Sequence, residues 1–434
     1  MSDETAAEKA VTRLPRPLRP FRRGQYRLLI GALALSIFGS GMWLVAIVFQ
    51  VRELGGGPIE LSFVATGNAL GLVAAVLIGG VAADRIPQKR ILIVVESVKC
   101  AAIALAALLA LTGTLEIWHL AAISLVLGVG DGFFYPAYSA MLPSILPAEE
   151  LLAANGFEGV LRPAVMQAAG PAIASTIIAA YSPGLVFVFV ALAMVAGIVG
   201  LSFLTQTPVR REFEATDDHP ISAVFSDLRG GFVFMVKTPW LLATLLYALV
   251  LVLLIIGPIE VLLPFAVTRQ TGGGALEFAI ALAAFGLGGV AGSILVASLK
   301  LPRRYLTIMN LLWGAGCLPL AVIGLTNELW VMVVALFIVG FTFQAATVIW
   351  GTLLQRRVPP ELLGRVSSLD FFVSLALMPV SMALAGPIGE LIGLGPTFLV
   401  AGIVPVFLAV AAILIAKLPK DEIEHPLDAE IDLA

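Results

Sequence analysis

The chain has 434 residues, of which 59% are apolar and only 13% are charged, and its mean hydropathy is +1.01. Soluble globular proteins carry about a quarter charged residues, so this composition excludes an ordinary water-soluble globule and indicates an integral membrane protein. The formal net charge of −3 gives no indication of a nucleic-acid partner.

Apolar runs of about 18 residues or more are long enough to cross a bilayer as helices, and the sequence contains twelve such runs. The predicted spans are 27–51, 61–83, 91–111, 117–142, 153–180, 184–205, 239–266, 275–299, 306–325, 329–354, 366–392 and 396–417. We therefore predict an all-α polytopic membrane protein with two six-helix bundles that are related by pseudo-symmetry.

Outside the spans, three polar segments complete the predicted organisation. A basic cytoplasmic arm occupies 1–26, and a cytoplasmic linker at 206–238 separates the bundles at 27–205 and 239–417. The apolar spacing of residues 221–237 predicts an amphipathic helix on the membrane surface within the linker. The acidic residues of 418–434 predict a disordered tail.

The distribution of Lys and Arg supports this count, since these residues collect in cytoplasmic loops. With both termini in the cytoplasm, 22 of the 26 basic residues lie on that side and two lie on the other. The remaining two, Lys99 and Arg162, fall inside predicted spans. We expect a multi-pass protein of the bacterial plasma (inner) membrane, in contact with the lipid bilayer.

Charged residues inside spans are costly in a bilayer and often face a water-filled path. Asp131 lies near the middle of the fourth span, and Gly128, Gly130 and Gly132 around it would let a ligand or another backbone approach closely. Low-dielectric surroundings disfavour a charged carboxylate, so Asp131 is a candidate for proton or cationic-substrate coupling. The alternative is a hydrogen bond that serves helix packing alone.

The other candidates for proton coupling or substrate binding are Glu260 and the pair Glu158 and Arg162, and a further pair of charges is expected to be structural. Glu158 and Arg162 have i,i+4 spacing and therefore share a helix face. They form either a structural ion pair or a gate that opens on protonation. Glu260 lies between prolines in the seventh span, where freed backbone groups must face a cavity or find partners. Glu96 and Lys99, at i,i+3, are expected to serve structure, with Lys99 extending towards the membrane interface.

The remaining polar and aromatic residues of the spans specify no ligand by their spacing. Candidates for lining a central cavity are Trp43, Asn68, Phe134, Tyr135, Gln167, Asn310, Gln344 and Trp350. There is no phosphate loop, metal-ligand spacing or nucleophile-base arrangement. We therefore expect no enzyme activity, no cofactor and no metal.

An internal repeat relates the two halves. Leu146-Pro147-Ala148-Glu149 in the first half corresponds to Val358-Pro359-Pro360-Glu361 in the second, and a Gly-Pro pair follows each segment inside a helix. These pairs, Gly170-Pro171 and Gly386-Pro387, are candidate helix-packing motifs. Parallel repeats of this kind place a transport site between the bundles near the middle of the membrane.

The loop between the second and third spans carries Gly80, Asp84, Arg85, Lys89 and Arg90. This spacing resembles the loop signature of the major facilitator superfamily, although Pro87 and Gln88 depart from the usual pattern. The resemblance to that superfamily covers essentially the whole chain. In that superfamily, the acid and the bases lock the cytoplasmic ends of the bundles together. The resemblance implies that Asp84 approaches Gly364 and Arg365, whereas topology alone could also explain the basic residues.

Within the superfamily, the chain most resembles the third drug-proton antiporter group, which includes macrolide efflux proteins and the enterobactin exporter. The resemblance rests on Asp131 to Phe134, on Gly170-Pro171, and on the stretch from Leu354 to Val366. It implies a secondary active transporter that exports an amphipathic drug, secondary metabolite or siderophore in exchange for protons, without an obligate protein partner. A lipid or lysolipid flippase and a non-transporting receptor or assembly partner with a plugged cavity remain alternatives.

Overall fold

A computed structural model describes residues 16–205, 232–299 and 301–427. Within these ranges, twelve helices are long and apolar enough to cross a membrane. In chain order they are α1 (Gly24–Glu53), α2 (Pro58–Ala83), α3 (Gln88–Leu111), α4 (Ile117–Ile145), α5 (Ala153–Ala180), α6 (Pro183–Ser202), α7 (Pro239–Thr271), α8 (Ala275–Ser298), α9 (Tyr305–Ile323), α10 (Leu329–Arg357), α11 (Leu369–Ile392) and α12 (Leu394–Ile415). The prediction of a twelve-helix membrane protein is confirmed.

The helices of the two halves pack in the same way because small residues occupy equivalent close approaches. A Cβ atom at Gly128 in α4 would collide with the backbone of α2 at Asn68, and one at Gly340 in α10 would collide with α8 at Phe285. The N-termini of α2 and α8 are also alike, since Glu60 and Glu277 accept hydrogen bonds from the backbone N–H of Gly57 and Gly274. In a bilayer no hydrophobic effect drives helices together, so their association relies on close van der Waals packing, which small residues permit.

Four spans are interrupted near their middles, among them α9, which runs over Tyr305–Ala315 and continues as Leu318–Ile323. The helix that contains α5 begins at Ala148, passes through a π-helix at Pro163–Ala169 and resumes as Gly170–Ala180. In α7, a π-helix at Pro258–Leu262 follows Pro239–Gly257, and the helix ends with Leu263–Thr271. The helix of α11 runs over Pro360–Ala376 and continues as Met378–Leu391. Proline at the start of the second segment removes a backbone donor in each case.

The two Gly-Pro pairs serve different contacts: Gly170-Pro171 begins the segment directly after the π-helix of α5, whereas Gly386-Pro387 lies inside Met378–Leu391. A Cβ atom at Gly170 would lie 2.9 Å from the carbonyl oxygen of Phe38, so the pair packs α5 against α1 inside the first bundle. Gly386 instead contacts the other bundle, where its N–H donates to Ser62 Oγ of α2 at 2.7 Å. The residues near Gly170 reach the second bundle through Gln167, which lies against Gly286 of α8.

These contacts join the bundles along two helix pairs, α2 with α11 and α5 with α8. Ser62 lies near the start of α2 and Gly386 near the end of α11. An even number of spans places both described chain ends on one side, so this contact lies near the opposite end of the bundles.

The segments next to the spans differ partly from expectation. Residues 16–22 form a 3-10 helix, and Phe21 of this helix packs on Phe157 of α5 with ring centroids 4.8 Å apart. Most of the predicted amphipathic linker helix lies outside the described residues; only 232–237 are described, and they are helical.

The expectation of a disordered tail is wrong for the part that the structure describes. Helix α13 (Leu418–Glu424) covers the ends of α9 and α10. Glu422 is buried and accepts a hydrogen bond from the N–H of Thr307 at 2.6 Å, and Asp421 pairs with Arg357. The acids are ordered because they satisfy backbone donors and an arginine at the end of the second bundle, which composition alone does not reveal.

Candidate functional site: a charged cavity between the bundles

A cavity with a volume of about 200 Å³ lies between the two bundles. Residues of α1 to α6 line it from the first bundle, and residues of α7 and α11 line it from the second. Its polar and charged lining residues are Ser40, Asn68, Lys99, Ser124, Asp131 and Glu260. The cavity therefore places a carboxylate from each bundle in one space.

The apolar side chains of the cavity wall can adapt to ligands of different shapes. Four methionines line the cavity, at positions 166, 194, 378 and 382, together with Trp43. Methionine side chains are unbranched and polarizable, so they adapt to ligands of irregular shape. This wall suits an amphipathic molecule without requiring one particular outline.

Asp131 is held by a lysine from the neighbouring helix. Lys99 Nζ lies 2.8 Å from Asp131 Oδ1, and the Asp131 side chain is 24% exposed. A Cβ atom at Gly130 would lie 2.7 Å from Lys99 Cγ and Cδ, so the glycine leaves the space through which the lysine stem passes. The small residues beside Asp131 thus make room for its counter-ion.

Lys99 also contacts a second carboxylate. Its ammonium group lies 3.2 Å from Glu96 Oε1, and the Lys99 and Glu96 side chains are only 3% and 2% exposed. Ser36 Oγ of α1 donates to the same Glu96 oxygen at 2.9 Å. The expectation that Lys99 extends towards the interface is wrong, because two carboxylates hold its ammonium group inside the bundle.

Glu158 and Arg162 form the predicted i,i+4 pair, with Arg162 Nη2 2.6 Å from Glu158 Oε1. The guanidinium also lies 4.4 Å from the ring centroid of Tyr135. Neither charged residue lines the cavity between the bundles. The geometry is that of a supporting pair next to α4, and any role in coupling remains a prediction.

Glu260 occupies the π-helix of α7 and lines the cavity from the second bundle. Within the described part of the chain, its carboxylate has no hydrogen-bond or ion-pair partner. A carboxylate that is desolvated without a partner favours binding of a proton or of a ligand cation. It differs in this respect from Asp131.

Of the predicted cavity residues, Trp43 and Asn68 line the cavity, whereas Asn310 and Trp350 do not. The Lys99 ammonium lies 5.5 Å from the ring centroid of buried Phe134, and Tyr135 lies beneath Arg162. Gln167 and Gln344 pack against glycines of α8 instead. The prediction missed Lys99, the four methionines and the contribution of α11.

The predicted cytoplasmic gate is described only in part. Lys89 Nζ donates to the carbonyl oxygens of Ser202 and Leu204, so it caps the end of α6 within its own bundle. Gly80 is partly exposed, and Arg85 and Arg90 are exposed. The side chains of Asp84 and Arg365, and the surroundings of Gly364, lie outside the described part of the chain.

Two bundles of six helices, joined face to face around a central cavity that contains charged groups, define a membrane transporter of the major facilitator type. Solved structures share this fold. A crystal structure of the nucleoside transporter NupG aligns over 91% of this chain and 99% of that chain with a TM-score of 0.67 at 10% identity. A NupG mutant aligns with a TM-score of 0.70 over 89% and 99% of the two chains, also at 10% identity.

The sequence comparison places the chain in a particular family. The profile described as "Transmembrane secretion effector" matches residues 16–430, and the chain belongs to this family of the major facilitator superfamily. Macrolide efflux protein A of Streptococcus pyogenes is 23% identical over 89% of this chain and 95% of its own length. The multidrug efflux pump Tap of Mycolicibacterium fortuitum is 27% identical over 92% and 97%, and Tap of Mycobacterium tuberculosis is 28% identical over 94% and 99%.

Proposed function

We propose that this transporter exports amphipathic small molecules from the cell in exchange for protons. The observation that carries the proposal is the cavity between the bundles, to which Asp131 and Glu260 each contribute a carboxylate. The names of its relatives, a macrolide efflux protein and multidrug efflux pumps, support the same direction of transport and class of substrate.

The lining favours substrates that are apolar and carry positive charge. The methionines and Trp43 offer apolar contacts, while Glu260 offers a carboxylate that no described side chain neutralises. A plugged cavity, which a non-transporting receptor would require, does not fit a space of about 200 Å³. The open cavity therefore favours transport over the receptor alternative.

Coupling requires that protons and substrate compete for one group. Asp131 faces the cavity and also contacts the buried Lys99. A proton on Asp131 removes the negative charge to which a substrate cation would bind, so each excludes the other. Glu260 assists by binding the substrate, and the pair Glu158 and Arg162 supports α4 from α5.

Alternating access then consists of rocking of the two bundles about the cavity. The contact of Ser62 with Gly386 closes the end opposite the termini. At the other end, Asp84 and Arg85 act with Gly364 and Arg365 as the gate, with Lys89 and Arg90 beside them. Both termini lie in the cytoplasm of a bacterial cell in this proposal, as the distribution of basic residues predicts.

The experiment uses inverted membrane vesicles with ethidium as the probe. We expect energised vesicles to accumulate ethidium, a protonophore to abolish the accumulation, and Asp131→Asn to slow it at least about tenfold at normal protein levels. Glu390→Gln is the matched control, because this exposed acid pairs with Arg269 outside the cavity. Undiminished gradient-driven transport in Asp131→Asn would remove Asp131 from the mechanism, and activity restricted to a labelled lysophospholipid would indicate a flippase.

A further inference from the structure

The buried group of Glu96, Lys99 and Asp131 contains two carboxylates and one ammonium. Lys99 Nζ is within 3.2 Å of Glu96 and 2.8 Å of Asp131, and it is the only cation in contact with either acid among the described residues. With all three groups ionised, the triad lacks one positive charge. Only Asp131 among its two acids lines the cavity.

We propose that this triad is an exchange site for one positive charge, which either a proton or the cationic group of a substrate supplies at Asp131. Lys99 shifts towards Glu96 when that charge arrives, and returns to Asp131 when it leaves. Lys99 and Glu96 are positioning residues, and Glu96 sets the charge deficit although it never touches the substrate. This inference rests on the proposed function and adds the charge balance that makes proton and substrate mutually exclusive.

The surroundings of Glu96 suit a fixed counter-ion. Its side chain is 2% exposed, and the hydroxyl of Ser36 donates to the same oxygen that contacts Lys99. Asp131, at 24% exposed, is reachable from the cavity. Because Lys99 contacts both acids at once, a small displacement changes which of them it neutralises.

Other titratable groups face the triad from neighbouring helices and must be accounted for. On the helices of the triad, α3 and α4, these groups are Cys100 and Tyr135. Arg162 of α5 lies over the Tyr135 ring, and Glu260 of α7 faces the same cavity as Asp131. The described lining residues of α1, α2, α6 and α11 are uncharged. Arg162 is itself neutralised by Glu158, so the deficit of one charge stays with the triad.

The charge balance makes a prediction that a purely structural role of Glu96 does not. In Glu96→Gln, Lys99 and Asp131 neutralise each other, so neither a proton nor a cation is needed and both bind poorly. In the double variant Glu96→Gln with Lys99→Met, Asp131 again lacks one positive charge. The second substitution should therefore restore what the first removes.

The test measures proton and ligand binding by the purified protein. All samples carry Glu260→Gln, so that Asp131 is the remaining carboxylate in the cavity lining, and the ligand probe is tetraphenylphosphonium, which cannot carry a proton. We expect the parent to release about one proton for each tetraphenylphosphonium bound. Glu96→Gln should bind the probe at least about tenfold more weakly, a loss of about 1.4 kcal/mol, and the double variant should recover both affinity and proton release.

A potentiometric titration without ligand separates this inference from the proposed function. The parent should take up about one proton more than Glu96→Gln between pH 9 and pH 5, and the double variant should regain that proton. Glu422→Gln is the matched control, since it neutralises an equally buried carboxylate far from the cavity and should leave the count unchanged.

If the titration behaves as stated but the parent does not bind the probe, the triad stands and the substrate class fails. If Glu96→Gln binds protons and probe as the parent does, or if the double variant fails to recover the proton, the charge-balance inference is wrong.

Discussion

The two bundles share their helix packing but differ in what fills their interiors. Aligned on the equivalent glycines Gly128 and Gly340, Asp131 of α4 corresponds to Phe343 of α10. Aligned on the two Gly-Pro pairs, Arg162 of α5 corresponds to Met378 of α11. The first bundle thus contains ion pairs where the second contains apolar side chains.

The second bundle has an aromatic centre instead of a charged one. Trp350 lies 6.1 Å from Trp240 and 6.3 Å from Trp313 between ring centroids, and Trp313 also contacts Phe343. Asp370, an intramembrane acid of α11, receives hydrogen bonds from Trp350 and Ser374 and, among the described residues, no ion pair from a cation. In the proposed mechanism the duplicated scaffold has specialised: the first bundle carries the exchangeable charge and most of the apolar cavity wall, and the second contributes Glu260, Met378 and Met382.

The largest expected effect comes from removing the cation of the first bundle. Lys99→Met leaves Glu96 and Asp131 as neighbouring buried acids without their ammonium, and loss of one partner from a buried ion pair costs about 3–5 kcal/mol. We expect a clear fall in the thermal unfolding temperature of the purified protein at neutral pH. Lys420→Met, which removes a mostly exposed lysine, is the control and should change it little. An unchanged unfolding temperature in Lys99→Met would mean that the ion pairs of Lys99 with Glu96 and Asp131 do not stabilise the folded protein.

A smaller effect is expected when the pair in α5 is replaced by its counterparts in α11. Arg162→Met alone leaves Glu158 without its cation and should lower the free energy of unfolding by about 1–3 kcal/mol. The double variant Glu158→Ser with Arg162→Met copies Ser374 and Met378, and it should recover most of that loss. Ethidium transport within about threefold of the parent in the double variant is the expected result if the pair is structural. Complete loss of transport in a stable double variant would place the pair in the coupling mechanism.

Sequence predicted the scaffold well and the charged site incompletely. Span boundaries follow from continuous apolar runs, so α5 was expected and found to end at Ala180. The contact of Lys99 with Asp131 depends on how α3 and α4 are rotated against each other, and such apolar helices carry little information about rotation. Depth gives one signal: at 1.5 Å per residue, Lys99 lies ~16 Å from the start of α3 and Asp131 ~21 Å from the end of α4. These ends lie on the same side of the membrane, so the two charges are at similar depths.

The misses in the cavity wall have a different cause. Met166 and Met382 come from equivalent positions of α5 and α11, but methionine in an apolar helix has no spacing that marks it as facing a cavity. The ordered helix α13 was missed because acidic composition predicts solvation, whereas Glu422 and Asp421 have partners on α9 and α10. Both features depend on contacts between distant segments.

The contribution of the second bundle to recognition is tested by Glu260→Gln. Removing a charge-to-charge contact in a partly buried cavity should weaken tetraphenylphosphonium binding about tenfold, or 1.4 kcal/mol. Proton release on binding should persist, because Asp131 and its triad are intact. Equilibrium dialysis gives the affinity, and Glu390→Gln is again the control for loss of a negative charge. Unchanged affinity would show that the second bundle does not recognise the cation.

The smallest effect is expected at the contact between bundles. A valine side chain at position 386 would collide with the backbone of α2 at Pro58 and Ile59. Gly386→Val should therefore disfavour closure at this end and increase, by a few-fold, the rate at which an impermeant maleimide labels Ala65→Cys in the cavity. Both native cysteines are replaced by serine for this assay.

Gly351→Val provides the comparison, since among the described residues nothing outside the adjacent part of α10 lies within 4 Å of the Cβ position at Gly351. Equal labelling rates in the two valine variants would mean that the contact of α2 with α11 does not control access to the cavity.

The most direct test of the central claim, that Asp131 of the first bundle performs the exchange while Glu260 of the second bundle helps to bind the substrate, is proton flux in liposomes during ethidium export. Glu260→Gln should still move protons against ethidium once the ethidium concentration is raised, whereas Asp131→Asn should move none at any concentration. Proton flux that survives in Asp131→Asn and disappears in Glu260→Gln would contradict the account.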